Sequence, residues 1–187
     1  MVRIIYKIII AKEFTQIGQI KSEYLVQLLK KNNKPKNIFK KKITVFGYNS
    51  SINKFRALHE PLTNWQSQKF FLNDMILLSK KFTDCLIVLR FKSLEWLINN
   101  NYFKTELKQI QKIKNIMISK NYEYNQSYEL CSSSDLIISR WSSISDENLC
   151  AGKSVIIYNY AGFSTNLIKK YFDYGNKINA PNLNKLI

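Results

Sequence analysis

The sequence predicts an α/β fold, a doubly wound sheet of parallel strands. Two observations predict it. Five short runs are apolar throughout: KITVFG (Lys42–Gly47), CLIVLRF (Cys85–Phe91), NIMIS (Asn115–Ser119), DLIIS (Asp135–Ser139) and SVIIYN (Ser154–Asn159). Strands covered on both faces read this way, whereas a strand with one wet face alternates. The runs also alternate with segments of helical spacing, which implies right-handed crossovers and parallel strands.

The elements follow in chain order. In residues 1–41, Phe14, Ile17, Ile20, Tyr24, Leu25, Leu28 and Leu29 recur at helical spacing. The stretch KKNNKPKNIFKKK then reads as a solvated linker, rich in Asn, Pro and Lys. A boundary near Lys40 separates this basic appendage, 1–41, from a domain at 42–187. The first strand leads into a polar loop ending in NW. Phe71, Met75, Leu78 and Phe82 then mark a helix before the second strand. Leu94 to Ile113 reads as one helical stretch, carrying Trp96, Leu97, Leu107 and Ile110. SYELCSSS reads as a short helix, Ser142–Ala151 as another, and a last helix is expected around Thr165–Phe172. The sum is a Rossmann-like sheet, in which ligands bind at the carboxyl ends of the strands.

Composition narrows the function. The 187 residues carry 29 basic and 13 acidic side chains, a net charge of +16. Such a surplus suits an anionic partner, and also an amino-acid usage rich in Lys, Asn and Ile. The charge is spread out, apart from Lys30, Lys31, Lys34, Lys36 and Lys40–Lys42. No zinc-finger spacing, RNP-like strand or helix-turn-helix accompanies it, so nucleic acid is not the expected partner. Cys85, Cys131 and Cys150 are far apart and odd in number, which predicts ordinary thiols in a reducing compartment. No run of eighteen apolar residues is present. The start, MVRIIYKIII, is interrupted by Lys7 and reads as structure, not as a signal peptide.

The strand ends collect cations, hydroxyls and aromatics: Tyr48, Asn49, Ser50 and Ser51; Arg90 and Lys92; Lys120, Asn121 and Tyr122; Arg140, Trp141, Ser142 and Ser143; Asn159 and Tyr160. This set suits a phosphate-bearing ligand with a stackable base. Ser142 or Ser143 is placed to cap the next helix, with Asp146 completing a weakened capping box. Amides at that helix start make an anion site. Glu147, one turn in, is at a spacing to accept ribose hydroxyls; favourable charge in a first turn is the plainer reading. There is no GxGxxG after the first strand, no GxxxxGK[ST] and no GxSxG. His59, the single histidine, falls in a loop without a nucleophile setting.

The run Tyr128-Glu129-Leu130, Asp135-Leu136-Ile137-Ile138, Ser142-Ser143-Ile144, Glu147, Ala151-Gly152-Lys153 and Val155-Ile156-Ile157-Tyr158 resembles the C-terminal domain of GT-B glycosyltransferases of surface-polysaccharide biosynthesis. The likeness covers about 42–187, is sharpest over 128–160, and has Ser154 where the family has proline. It implies a nucleotide-sugar-binding half of an enzyme. Glu147 would hold the donor ribose, and Ser142 and Ser143 would meet the diphosphate. Arg90 and Lys92 would neutralise its charge, and Tyr122 would flank the base. It implies no cofactor beyond the nucleoside-diphosphate sugar as donor substrate. No DxD-like carboxylate cluster points to a metal, and no catalytic base is named. About 40 residues precede the domain, too few for the family's N-terminal acceptor domain. That half is therefore expected from a separate domain or subunit. Glycerophosphotransferases share related runs, but their Arg-Pro-His-Pro-like stretch is here Arg90-Phe91-Lys92-Ser93. The expected location is cytoplasmic, with peripheral contact at an anionic inner membrane face through the Lys30–Lys42 cluster. A non-catalytic nucleotide- or partner-binding module, and a basic nucleic-acid-binding protein, are the other readings.

Overall fold

The computed structural model describes residues 22–31, 38–50, 64–120, 123, 125–140, 142–160, 178–180 and 182–187. In chain order its elements are α1 (Glu23–Lys30), β1 (Lys41–Phe46), α2 (Trp65–Lys81), β2 (Cys85–Arg90), α3 (Glu95–Ile98), a 3-10 turn (Asn101–Phe103), α4 (Lys104–Lys112), β3 (Ile116–Ile118), α5 (Gln126–Ser133), β4 (Leu136–Ser139), α6 (Ser143–Cys150), β5 (Val155–Tyr158), β6 (Asn179–Ala180) and α7 (Leu183–Leu186).

The strands hydrogen-bond in the order β3-β2-β1-β4-β5-β6, every pair parallel. This is the doubly wound, Rossmann-like order. The chain grows outward from β1 to β3, then returns to the other side of β1 with β4. The switch point therefore lies between β1 and β4.

Side-chain parity divides each strand between two layers. Ile43, Val45, Ile87, Leu89 and Ile138 pack with Phe71 and Met75 of α2, Leu97 of α3 and Ile110 of α4. Ile137, Val155 and Ile157 face the opposite layer, with Leu25 of α1, Cys131 of α5 and Leu149 of α6. Both faces are covered, which is why the runs do not alternate in polarity. Burying one such aliphatic side chain is worth about 1.5–3 kcal/mol. Leu25 is fully buried, and the Tyr24 ring meets Tyr128 of α5 edge-on at 5.6 Å. The helix on the appendage side of Lys40 thus contributes to this second layer.

Three features differ from expectation. A sixth strand, β6, pairs with β5 through Ile157↔Asn179 and Tyr158↔Ala180. Two residues of mixed character leave no strand signature. The expected single helix over Leu94–Ile113 is three pieces. Asn100 adopts extended backbone and its side chain accepts the Tyr102 amide at 3.0 Å, capping a new start. The helical spacing survived in the sequence because Trp96, Leu97, Phe103 and Ile110 all face one core. In α2 the helix begins earlier, at Trp65, because the Asn64 side chain accepts the Ser67 amide at 2.7 Å. The helix expected around Thr165–Phe172, the spacing positions Phe14, Ile17 and Ile20, and His59 lie outside the described residues.

The Ala151-Gly152-Lys153 stretch ends α6. Gly152 donates to the Leu149 carbonyl at 3.0 Å and Lys153 N–H to the Asn148 carbonyl at 2.9 Å. These two bonds form a Schellman stop. Gly152 has φ 75°, the left-handed region a Cβ disfavours. Gly152→Ala is expected to cost about 1–2 kcal/mol, read as a lower urea midpoint with an unchanged slope. The Lys153 ammonium donates to the Ser134 carbonyl just past the end of α5. The helix end is thus met by a cation.

On α2, Asp74 accepts the Tyr158 hydroxyl at 2.5 Å. Partial burial holds the Asp74 carboxyl above its ordinary value of 3.8, against the pull of that hydrogen bond. A raised carboxyl binds a proton in the folded state at a pH where the unfolded chain has lost it. Its destabilisation is therefore absent below pH 3.8, grows as pH rises from there to the folded value, and is full above that value. Asp74→Asn keeps an acceptor for Tyr158 and removes the charge. The variant is expected to melt higher than wild type at pH 7, with the gap closing toward pH 4. A gap that widens on acidification contradicts this.

Candidate functional site

The register that forms the sheet also assembles a cavity. Phe46 and Arg90 are register partners at the ends of β1 and β2. Continuing the β1–β4 register past Val45↔Ile138 sets Ser139 level with Phe46. Parity turns all three to the α5–α6 side of the sheet. A cavity of about 690 Å³ opens there, lined by Phe46, Gly47, Tyr48, Asn49, Arg90, Phe91, Lys92, Glu123, Ser127, Ser139, Ser142 and Ile144. Its position is the β1/β4 switch point, at the carboxyl ends of the strands. Its size suits a small-molecule ligand.

Short loop contacts hold the wall. Gly47 N–H donates to the Arg90 carbonyl at 2.9 Å, and Ser93 N–H donates to Asn49 Oδ1 at 3.1 Å. The loops after β1 and β2 are thereby zipped together. Gly47 is required by closeness: an added Cβ would lie 2.3 Å from the Phe91 ring. Arg90 is buried at 7% exposure, so its guanidinium is a fixed cation, while Lys92 is exposed at the rim.

The helix starts complete the site. Ser142 is the N-cap of α6, with extended backbone, but its side chain does not cap the helix. Its hydroxyl joins a serine chain instead: Ser139 Oγ and Ser142 Oγ are 3.0 Å apart, and Ser142 Oγ and Ser145 Oγ 3.4 Å. Ser139 and Ser145 both donate to the Arg140 carbonyl at 2.9 Å. Their protons are thus used, and the single Ser142 proton serves one of its two neighbours. A bound anion can take it by rotation of one hydroxyl. The Ser142 side chain leaves the first-turn amides of α6 uncapped, the Ser145 amide turning back to the Ser142 carbonyl at 2.9 Å, and this end of the helix carries its positive pole. Ser127, in the first turn of α5, stands on the same wall. Two helix starts therefore meet at one cavity.

Behind the wall, Arg140 is 1% exposed and lies over two rings, 5.7 Å from the Tyr48 centroid and 5.1 Å from Tyr160. Burial lowers its guanidinium, opposed chiefly by Tyr160. Burial raises the Tyr48 phenol, with Arg140 pulling it back. Tyr48 is thus a neutral ring at neutral pH, fixed by cation–π contact on the inside and presented to the cavity.

Of the residues singled out in the sequence, the structure brings Arg90, Lys92 and Ser142 to the cavity. Ser143 is exposed in the first turn of α6 and is not on the wall. Glu147 is 3% exposed and is not on the wall. It lies near Cys131 of α5, whose thiol burial, with Glu147 adding to it, pushes up to about 12. Tyr122 lies outside the described residues. The serine-to-Asp146 capping box does not form, because Ser142, not Ser143, is the N-cap. Sequence reasoning did not single out Ser139, Ser127 or Glu123 as site residues. Parity along DLIIS was the signal for Ser139, and Glu123 stands one position beyond the residues read after the third strand.

The cysteines are free thiols: Cys85 and Cys131 buried, Cys150 exposed. Among the described residues no group of three or more His, Cys, Asp or Glu side chains is placed to hold a metal ion, and no helix is long and apolar enough to cross a membrane.

No protein-family model matches the chain, and no curated relative matches it in sequence. Among the solved structures similar to it are the following two. One is KpsC of Thermosulfurimonas dismutans, a beta Kdo 2,4 transferase, at 14% identity and a TM-score of 0.41 over 74% of this chain and 43% of that one. The other is the wall teichoic acid polymerase TagF, at 18% identity and a TM-score of 0.43 over 89% of this chain and 38% of that one. The chain spans less than half the length of each.

Proposed function

We propose that this chain binds a nucleoside-diphosphate sugar and forms the donor half of a glycosyltransferase of surface-polymer synthesis. The observation that carries the reading is the coincidence of three things at the β1/β4 switch point: the cavity, the cations Arg90 and Lys92, and the uncapped start of α6 with Ser142. The sequence run over 128–160 supports it independently. In this reading Arg90 and Lys92 take the diphosphate from the strand side, while the amides of Ser143 and Ile144 and the Ser142 hydroxyl take it from the helix side. As the glycosidic bond breaks, negative charge builds on the leaving diphosphate, and these fixed donors stabilise it. Tyr48 offers an aromatic face at the same wall. The acceptor and the catalytic base belong to a separate domain or subunit.

Titration calorimetry with UDP-, GDP- and CDP-sugars tests this. Saturable binding of one of them, weakened in Arg90→Ala, is expected; no binding to any sinks the reading. A second reading, a nucleotide-binding module without turnover, is favoured by the wall residues all coming from one sheet unit. Binding without transfer, whatever second domain is supplied, would select it.

A cytoplasmic location with peripheral membrane contact belongs to the same proposal. Two cations of its basic cluster are paired, Lys40 with Asp84 at 3.9 Å and Lys41 with Asp135 at 3.5 Å, while Lys42 donates to the neutral Ser133 Oγ at 2.6 Å and keeps its charge.

A further inference from the structure

β3 is an edge of the sheet, and among the described residues no strand pairs with its outer side. Its inner side is fixed by two bonds: Ile87 N–H donates to the Asn115 carbonyl at 2.8 Å and Ser119 N–H to the Leu89 carbonyl at 2.9 Å. Backbone groups alternate in direction along a strand, so the N–H and C=O of Ile116 and Ile118 point outward. A cavity of about 620 Å³ opens beside this edge, lined by Leu97 and Ile98 of α3, Leu107 and Ile110 of α4, and Ile116 and Ile118. Two apolar side chains stand out to solvent there, Ile98 at 61% and Met117 at 48% exposure. The charge around them is of one sign. Lys104, Lys108 and Lys112 recur every four residues along α4, and Lys114 and Lys120 bracket β3. All five are exposed, and among the described residues none of them is ion-paired.

Lysines beside an edge strand discourage chance pairing, but that role needs no apolar cavity next to them. A second copy of this chain is a poor occupant, because a two-fold contact sets the same lysines against each other. A lipid tail fills the cavity but offers nothing to the outward N–H groups. An extended peptide supplies every complement: backbone groups for Ile116 and Ile118, an apolar side chain for the cavity, and carboxylates for the lysines. We propose that the β3 edge docks an acidic, extended segment of a partner protein as an added strand, with one of its apolar side chains in the cavity between α3, α4 and β3. This surface shares no lining residue with the strand-end cavity and does not depend on the nucleotide reading.

The test is fluorescence anisotropy of the full chain, at physiological salt, with labelled heptapeptides in which Glu alternates with Val and the central residue is Ile, Leu or Phe. The best of them is expected to bind saturably at one site. N-methylation removes strand donors without changing charge. On residues of one parity it should weaken binding about ten-fold, and on the other parity leave it within about two-fold. Ile98 and Lys120 are exposed, so Ile98→Glu and Lys120→Glu are expected to fold. They should cost about ten-fold and about five-fold. Lys30→Glu, the same charge reversal made on α1, should cost less than about two-fold. No saturable binding by any of the peptides overturns the proposal. Equal losses for both methylation parities, or for Lys120→Glu and Lys30→Glu, mean adsorption on a basic surface and overturn it as well. Phosphatidylglycerol vesicles are titrated in parallel. Binding to them that Ile98→Glu and Lys120→Glu abolish, with none to the peptides, makes this face a lipid contact and the proposal falls.

Discussion

Arg90→Ala is expected to weaken binding of the donor diphosphate about thirty-fold, the loss of one set of charge-assisted hydrogen bonds. The magnitude follows from position. Arg90 ends β2, is 7% exposed, and stands level with Phe46 in the register. A cation held there by the sheet is already placed when the ligand arrives, so little side-chain entropy is lost on binding. Lys92 is exposed at the rim, and Lys92→Ala should cost only a few-fold, an effect that shrinks as salt rises. Arg90→Lys should recover part of the affinity, since it restores charge but not the planar fork. Equal losses in the Arg90 and Lys92 variants would contradict a buried cation at the centre of the site.

The second large effect is on stability. Asn115 precedes β3, is buried, and its Nδ2 lies 2.9, 3.0 and 3.0 Å from the carbonyls of Ser79, Phe82 and Cys85, its two protons serving the three acceptors with one shared. One amide thus ties the end of α2 and the start of β2 to the edge of the sheet. Asn115→Asp turns an acceptor-only group toward three carbonyl oxygens. It is expected to cost about 3 kcal/mol or more, the loss expected when buried groups are left unsatisfied or a buried charge unpaired. For a chain of this size the melting point should fall by about 6–12 °C. Asn115→Ala, which leaves the carbonyls without a donor but adds no charge, should fall in between, at about 1–3 kcal/mol. Lowering the pH should partly rescue the Asp variant, because protonation restores a donor. An Asp variant as stable as wild type would show that the clamp contributes nothing.

Much of the fold was legible because burial on both faces leaves a run that cannot be disguised. CLIVLR reads as a central strand whatever surrounds it. What escaped was local or short. β6 has two residues, fewer than any periodicity needs, and its place is set by pairing with β5. The break at Asn100 was invisible because apolar spacing reports which core a segment faces, and both pieces face the same one. Arg90 and Lys92, which line the cavity, were read from the rule that ligands meet strand ends, and Ser142 from its place before a helix. Glu147 illustrates the limit. Its spacing placed it one turn into α6, but the rotation of that helix against α5 fixes which side is inward, and no sequence pattern gives that rotation. Glu123 was missed for the complementary reason. A loop residue with no periodicity enters a cavity only through the path of the chain between β3 and α5.

Bound as proposed, a nucleoside diphosphate sits between Arg90 and the start of α6. Amide chemical-shift mapping of the ¹⁵N-labelled chain, titrated with UDP, CDP and GDP, tests it most directly. The predicted result is saturable shifts concentrated at Gly47–Asn49, Arg90–Lys92 and Ser142–Ile144, reduced in Arg90→Ala. Shifts centred instead on the apolar cavity beside β3, lined by Leu97, Ile98, Leu107 and Met117, or no shifts with any of the three, would contradict it.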